Sequence, residues 1–162
     1  MNELEDKLAL IIYECDQHVK MINHAFEKTE RFLPLNEKVY QAFSADQISY
    51  IDQFLFRFSK LQDTMGEKLF PTMLYLLGED YDNKPFIDLL NRLEKLELLS
   101  KEMWLDLRKI RNEVAHEYSF NQEELLDSLN DIFSVKDTLL GIYHTVRNYC
   151  FQKIHFTTKE QP

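Results

Sequence analysis

Apolar residues recur along most of this chain at alternating intervals of three and four, the spacing that places them on one face of an α-helix. The first such stripe covers residues 4–26. A second covers residues 48–65 and follows a Ser-x-x-Gln capping box at residues 44–47, which marks a helix start. Because proline lacks an N–H, Pro71 is predicted to end or kink this second helix before a stop at Gly78.

The pattern predicts three more helices in the second half of the chain. The third covers residues 85–99, with proline at its first position. Ser100 caps a fourth helix, whose predicted core stripe is Met103, Leu107, Ile110 and Val114. Asn121 caps a long last helix, in which the apolar stripe over residues 125–150 is interrupted once, at Lys136.

These elements predict an all-α protein built as one up-and-down bundle of about five helices. A short connecting helix is expected over residues 36–43. Three glycines and four prolines are too few for the many turns of an all-β fold. We expect a single helical domain over residues 1–154 and a disordered tail over residues 155–162, where no periodicity remains.

The formal net charge of −9 argues against a general nucleic-acid binder, which would normally present a basic face. The acidic N-terminus does not resemble a signal peptide, and no apolar run approaches the roughly 20 residues that span a bilayer. Cys15 and Cys150 stand alone, without the spacing of a zinc site. These features predict a cytoplasmic protein with no membrane contact, no metal site and no cofactor.

The candidate chemistry lies at the end of the fourth helix, where Arg111, Asn112, His116 and Tyr118 fall within eight residues. Arg111 and Tyr118 are seven residues apart and point nearly the same way on a helix, whereas Asn112 and His116 form a second pair four residues apart. Arg111 and His116, five apart, diverge by about 140° at 100° per residue. One copy of the helix therefore cannot bring the arginine and the histidine to the same atom.

A twofold dimer could bring these two groups together, because the arginine and the histidine of one chain would then face those of the other in a shared cleft. Histidine can move a proton near neutral pH, and the guanidinium fork of arginine suits a phosphate that gains negative charge. The pair could promote attack of an RNA 2′-hydroxyl on the adjacent phosphate without a metal ion.

The sequence Arg111, four residues, His116, one residue, Tyr118 resembles the motif of the HepT-like toxins, a branch of the HEPN superfamily of helical-bundle ribonucleases. The resemblance implies a homodimer that cleaves RNA, with tRNA as a candidate substrate, without a metal at a site formed by Arg111, Asn112 and His116. It also implies a toxin–antitoxin pair, in which a minimal nucleotidyltransferase neutralises this chain by adenylylating Tyr118. An AMP group there would add bulk and negative charge where the RNA phosphate must lie.

Two alternatives to the ribonuclease remain open. The chain could be a non-catalytic binding subunit that accompanies a nucleotidyltransferase, because the basic residues around the motif are matched by acidic ones. The polar residues could also be structural features of a helix end.

Four residues outside the motif could also contribute to a site. Arg57 is expected to pair with a carboxylate or to extend to solvent, although it could face a site. The pattern favours His144 and Arg147 on the outer face of the last helix, where Arg147 could also bind phosphate. It favours Trp104 in packing over base stacking, although an exposed indole at a dimer interface would fit equally well.

Overall fold

The computed structural model describes residues 2–117 and 121–156, and all regular secondary structure in these ranges is helical. The helices are α1 (Glu3–Thr29), α2 (Glu37–Gln41), α3 (Ala45–Thr64), α4 (Phe70–Leu76), α5 (Phe86–Lys95), α6 (Lys101–Glu117), α7 (Gln122–Ser134) and α8 (Lys136–Lys153). A short 3₁₀ turn follows α1, and a π-helical turn (Met65–Leu69) joins α3 to α4. The predicted all-α helical bundle is confirmed.

The core lies between α1 and α3, which pack along their lengths, and it extends to α7 and α8. The predicted stripe of α1 is buried at Leu8, Ile11, Cys15, Val19 and Ile22. Three side chains of α3, Phe54, Phe58 and Leu61, are fully buried against it. Each fully buried apolar side chain of this kind stabilises the fold by roughly 1.5–3 kcal/mol.

Pro71 was predicted either to end the second helix or to kink it. The helix does not end there, because α3 continues through the π turn into α4. It passes through the π turn immediately before the proline, in which the Phe70 N–H donates to the Met65 carbonyl five residues earlier. In a regular α-helix the Pro71 ring would clash with the carbonyl of Glu67. The wider π turn accommodates the proline at this point.

Two helices are terminated by a residue in the left-handed backbone conformation. Gly78 has a φ of 90° and ends α4 as predicted, with Glu79 N–H donating to the Leu74 carbonyl. The same arrangement ends α5 at Lys95, four residues before the predicted end at residue 99. There the left-handed residue is Glu97, with a φ of 60°, which the sequence pattern did not reveal because this position usually holds glycine.

The predicted long last helix is divided into α7 and α8 by Val135, whose φ of −102° and ψ of 8° depart from helical values. The break coincides with Lys136, the one polar position in the predicted stripe. The Lys136 ammonium lies 3.9 Å from the centroid of the Phe26 ring, so the charged group covers an aromatic ring of the core. The expected disordered tail falls mostly on residues 157–162, outside the described residues, whereas Phe156 stacks on Phe151.

No helix within the described ranges is both long and apolar enough to cross a membrane.

We predict that Glu97→Gly stabilises the protein by about 1 kcal/mol, because glycine adopts the left-handed conformation without the steric cost that Cβ imposes. The Glu97 side chain is exposed, so little packing is lost. Urea unfolding followed by circular dichroism would measure the change. Lys20→Gly, at an exposed position within α1, should instead destabilise by about 1 kcal/mol; equal effects of the two substitutions would refute the explanation.

Candidate functional site

The inward face of α6 is formed by Trp104, Leu107 and Val114, which are at most 4% exposed. The prediction that Met103 belongs to this stripe is wrong, because its side chain is 46% exposed. Trp104 takes its place, and the expectation that the indole packs in the core is confirmed. Trp104 lies about 100° round the helix from Met103, so the buried face extends to that side while Leu107 and Val114 remain within it. Arg111, seven residues after Trp104, points nearly the same way as the indole.

Arg111 lies on this inward face and forms an ion pair with Asp63 of α3, in which Nη1 donates to Oδ1. Its side chain is only 23% exposed. A guanidinium in such a position is held by its partner instead of moving freely in solvent. Asp63 was not singled out from the sequence, because no short motif connects a carboxylate on α3 to an arginine on α6.

Arg111 lines two clefts. The first, of about 290 Å³, is bounded by the end of α3, the π turn, the start of α5 and α6, and is lined by Gln62, Asp63, Gly66, Glu67, Phe86, Trp104, Arg108 and Arg111. The second, of about 240 Å³, lies toward α7 and is lined by Leu55, Ser59, Arg111, Val114, Ala115 and Ile132. The guanidinium of the motif is therefore accessible from a space that a small ligand could occupy.

The charges around the first cleft are balanced. Arg108 and Arg111 are matched by Asp63 and Glu67. Because Arg111 is already paired with Asp63, Arg108 carries the less constrained positive charge. Its guanidinium lies 5.7 Å from the centroid of the Phe86 ring, and it forms no ion pair with the other described side chains. Anion binding in this cleft would therefore depend on Arg108 and on the unused donors of Arg111.

The other motif residues are only partly described. Asn112 is exposed on α6, away from the clefts. His116 occupies the last turn of α6, but its side chain lies outside the described residues, as does the whole of Tyr118. Because α6 is regular through Glu117, the helical positions of Arg111 and His116 remain about 140° apart. Arg111 therefore lines a cleft, and its meeting with His116 stays a prediction.

Arg147, for which the sequence also allowed phosphate binding, connects α8 to α1. Arg147 donates from Nε and Nη2 to the two carboxylate oxygens of Asp16, at 3.0 Å each. The fully buried Tyr143 hydroxyl donates to the same carboxylate at 2.6 Å. Burial and this hydrogen bond raise the pKa of Tyr143 far above its usual value. This arrangement is a structural clamp, because the guanidinium fork is already filled by a carboxylate.

Arg57 contacts a histidine, His18, which is 7% exposed on α1. Arg57 Nη1 lies 3.1 Å from His18 Nδ1. Because arginine can only donate, Nδ1 must accept, which requires a neutral ring with its proton on Nε2. Burial lowers the pKa of His18 and the Arg57 charge lowers it further, against the opposite effect of Glu14. The contact links α1 to α3 and lies apart from the two clefts that Arg111 lines.

No group of three or more histidine, cysteine, aspartate or glutamate side chains within the described residues is arranged to hold a metal ion. Comparisons of the chain with protein-family models, with curated proteins and with solved structures found no match.

The His18 contact predicts a pH-dependent stability. The folded-state pKa lies below the unfolded value of 6.5, so as the pH falls below 6.5 the unfolded chain binds a proton that the folded chain resists. Stability should therefore be full above pH 6.5 and fall toward the lowered pKa, by at most about 1.4 kcal/mol per pH unit from this group.

Chemical unfolding between pH 7 and pH 5 would test this, with Glu14, Arg57, Lys60 and Lys68 retained around the histidine. The free energy of unfolding should depend less on pH in His18→Gln than in the wild type. It should keep the wild-type pH dependence in His24→Gln, which replaces an exposed histidine on the same helix. An unchanged slope in His18→Gln would show that other groups cause it.

Proposed function

We propose that this chain is a metal-independent endoribonuclease, the toxin of a cytoplasmic toxin–antitoxin pair, whose site is built on Arg111, Asn112 and His116. The proposal is carried by the position of Arg111, whose guanidinium is held by Asp63 beside two clefts, five residues before the histidine of the motif. A guanidinium fixed at a cleft is what stabilisation of a phosphoryl transition state requires.

The proposed reaction is an internal transfer at one RNA phosphate. The 2′-oxygen attacks phosphorus and gives its proton to a base, for which His116 is the candidate. The bond from phosphorus to the 5′-oxygen breaks, and that oxygen takes up a proton from the protonated base or from water. The products are a 2′,3′-cyclic phosphate and a 5′-hydroxyl end. Arg111 would bind the phosphate oxygens while they gain negative charge.

The ion pair with Asp63 is compatible with this role. Arginine has five N–H donors, and the contact with Asp63 is made through Nη1. The remaining donors can bind phosphate oxygens while the carboxylate fixes the orientation of the group. Asp63 thus acts as a positioning residue, and its negative charge limits the affinity of the site for phosphate.

The divergence of the two helical positions requires a second copy of the chain. Arg111 lies on the inward face of α6, and the His116 position is about 140° away on the same regular helix. A twofold axis near the end of α6 would pair the arginine of one chain with the histidine of the other. The active form in this proposal is a homodimer.

A cleavage assay on tRNA in the presence of EDTA tests the activity. We expect wild-type protein to produce cyclic phosphate ends, and Arg111→Ala and His116→Ala each to lower the rate by about 10²–10⁴-fold. Lys109→Ala is the matched control, because this exposed cation lies on the same helix and pairs only weakly with Glu113. No cleavage by the wild type, or equal loss in the control, would refute the ribonuclease.

Mixing the two inactive variants tests the shared site. If the arginine and the histidine come from different chains, heterodimers of Arg111→Ala with His116→Ala contain one intact site. An equal mixture after subunit exchange should then recover about a quarter of the wild-type activity. If both groups act within one chain, no heterodimer has an intact site, and the mixture stays inactive.

The balanced charge of the cleft and the net charge of −9 favour a second candidate, a non-catalytic subunit that binds a nucleotidyltransferase. An acidic chain would dock fastest on a partner with a basic face. The same partner would be the antitoxin in the ribonuclease proposal, so the two functions differ in what happens to Tyr118.

Mass spectrometry after incubation with the nucleotidyltransferase and ATP separates these two functions. The toxin proposal predicts the mass of one added AMP on Tyr118, absent in Tyr118→Phe, together with loss of RNA cleavage. A stable complex without modification and without nuclease activity would support the binding subunit instead.

A further inference from the structure

The first cleft contains a buried amide that lacks a partner. Gln62, at the end of α3, is 2% exposed, and neither its Oε1 nor its Nε2 has a hydrogen-bond partner among the described residues. The Nε1 of Trp104, which is 1% exposed and lines the same cleft, also lacks one. Such groups are rare in folded proteins because leaving them unpaired is costly. These atoms are shielded from solvent, so a polar ligand in the cleft would pair with the amide once the Gln62 side chain turns toward it.

Two aromatic side chains, Phe86 and Trp104, line this cleft. Gly66, in the π turn, lies between Phe86 and Trp104, and a Cβ built on it would lie 3.5 Å from Phe86 Cζ and 3.4 Å from Trp104 Cζ2. Glycine thus places no side chain between the two rings. π turns occur frequently at functional sites, and this one places the side-chain-free residue between the two rings. A flat ring can contact these surfaces.

Exposed charges of both signs line this cleft, since Arg108 and Glu67 are both exposed. The Arg108 guanidinium lies over the Phe86 ring, 5.7 Å from its centroid. Arg111, deeper in, is paired with Asp63. An anionic group attached to a flat ring would therefore meet Arg108 while the ring contacts Phe86 and Trp104.

We infer that this cleft binds the base of an adenine nucleotide. An amide side chain pairs with adenine through two hydrogen bonds, accepting from N6 and donating to N7, and a turn of Gln62 into the cleft would provide them. The volume of about 290 Å³ is at the lower limit of small-molecule pockets and suits one base. If the proposed ribonuclease function holds, on which this part of the inference rests, the bound base belongs to an adenosine beside the cleaved phosphate of the RNA. A free adenine nucleotide is the other molecule that could supply the same base.

The single tryptophan of the chain reports binding directly, because Trp104 lines the cleft. Fluorescence titrations of the full chain would use AMP, GMP, CMP and UMP, none of which can be cleaved. We expect AMP to cause a saturable change in fluorescence. Its affinity should be at least fivefold higher than that of each of the other three nucleotides. No saturable change with AMP, or equal affinity for all four nucleotides, would overturn the inference.

Two variants test the predicted contacts. Gln62→Met keeps the volume but removes the amide, and should reduce the affinity for AMP to that for UMP. Gln53→Met is the matched control on α3, where a glutamine oxygen also lacks a partner but lies outside the cleft lining; it should leave binding unchanged.

Gly66→Ala adds a methyl between the rings at ordinary contact distances, so it should fold normally and weaken AMP binding at least threefold. Unchanged AMP binding in both Gln62→Met and Gly66→Ala would place the nucleotide elsewhere.

Uncleavable 2′-O-methyl oligonucleotides distinguish the sources. Tighter binding of oligoadenylate than of AMP, with oligouridylate much weaker, supports an RNA strand. Binding of AMP alone would overturn the RNA source and leave a site for a free nucleotide. Because none of these measurements requires cleavage, AMP binding without any nuclease activity would refute the proposed function while supporting the adenine site.

Discussion

The long helix that runs from α3 through the π turn into α4 is the element on which the rest of the structure depends. Its inner face packs Phe54, Phe58 and Leu61 against α1, and this apolar contact fixes its rotation. The rotation then decides what the neighbouring positions face. Gln62 and Asp63, directly after Leu61, are turned toward α6, where they meet the first cleft and Arg111. A change in the α1–α3 packing would therefore displace the candidate site as well as the core.

The conflict between burial and chemistry is clearest on α6. The positions of Trp104, Leu107 and Val114 require that Arg111 points inward, so its charge must be neutralised locally, and Asp63 does this. A free phosphate-binding arginine would be exposed and unpaired. An arginine held by a carboxylate is better positioned but attracts phosphate less strongly. Activity at this site would thus depend on orientation and on shared donors more than on a strong positive field.

Much of the fold could be predicted because helix periodicity and capping are local. The stripe of α1, the capping box at Ser44 and the stop at Gly78 all depend on residues within a few positions of each other. The errors have tertiary causes. Met103 and Trp104 are adjacent, and only packing against Phe70 selects the indole for burial. The early end of α5 depends on a left-handed Glu97 that propensity disfavours. Asp63 was missed because its partner Arg111 lies on another helix, and Gln62 because only the packing of α3 against α6 buries it beside Trp104.

The net charge of −9 limits how this chain could recognise RNA. Long-range attraction cannot supply the affinity, since the chain as a whole repels a polyanion and the cleft itself is balanced. Affinity must then come from short-range contacts that are insensitive to salt, such as stacking and hydrogen bonds to a base edge. In the inferred adenine site, Phe86 and the Gln62 amide would provide these contacts, with Arg108 as a nearby cation. An acidic nuclease of this kind would discriminate between RNA sequences. A strand without the correct base would make too few short-range contacts to offset its charge repulsion from the protein.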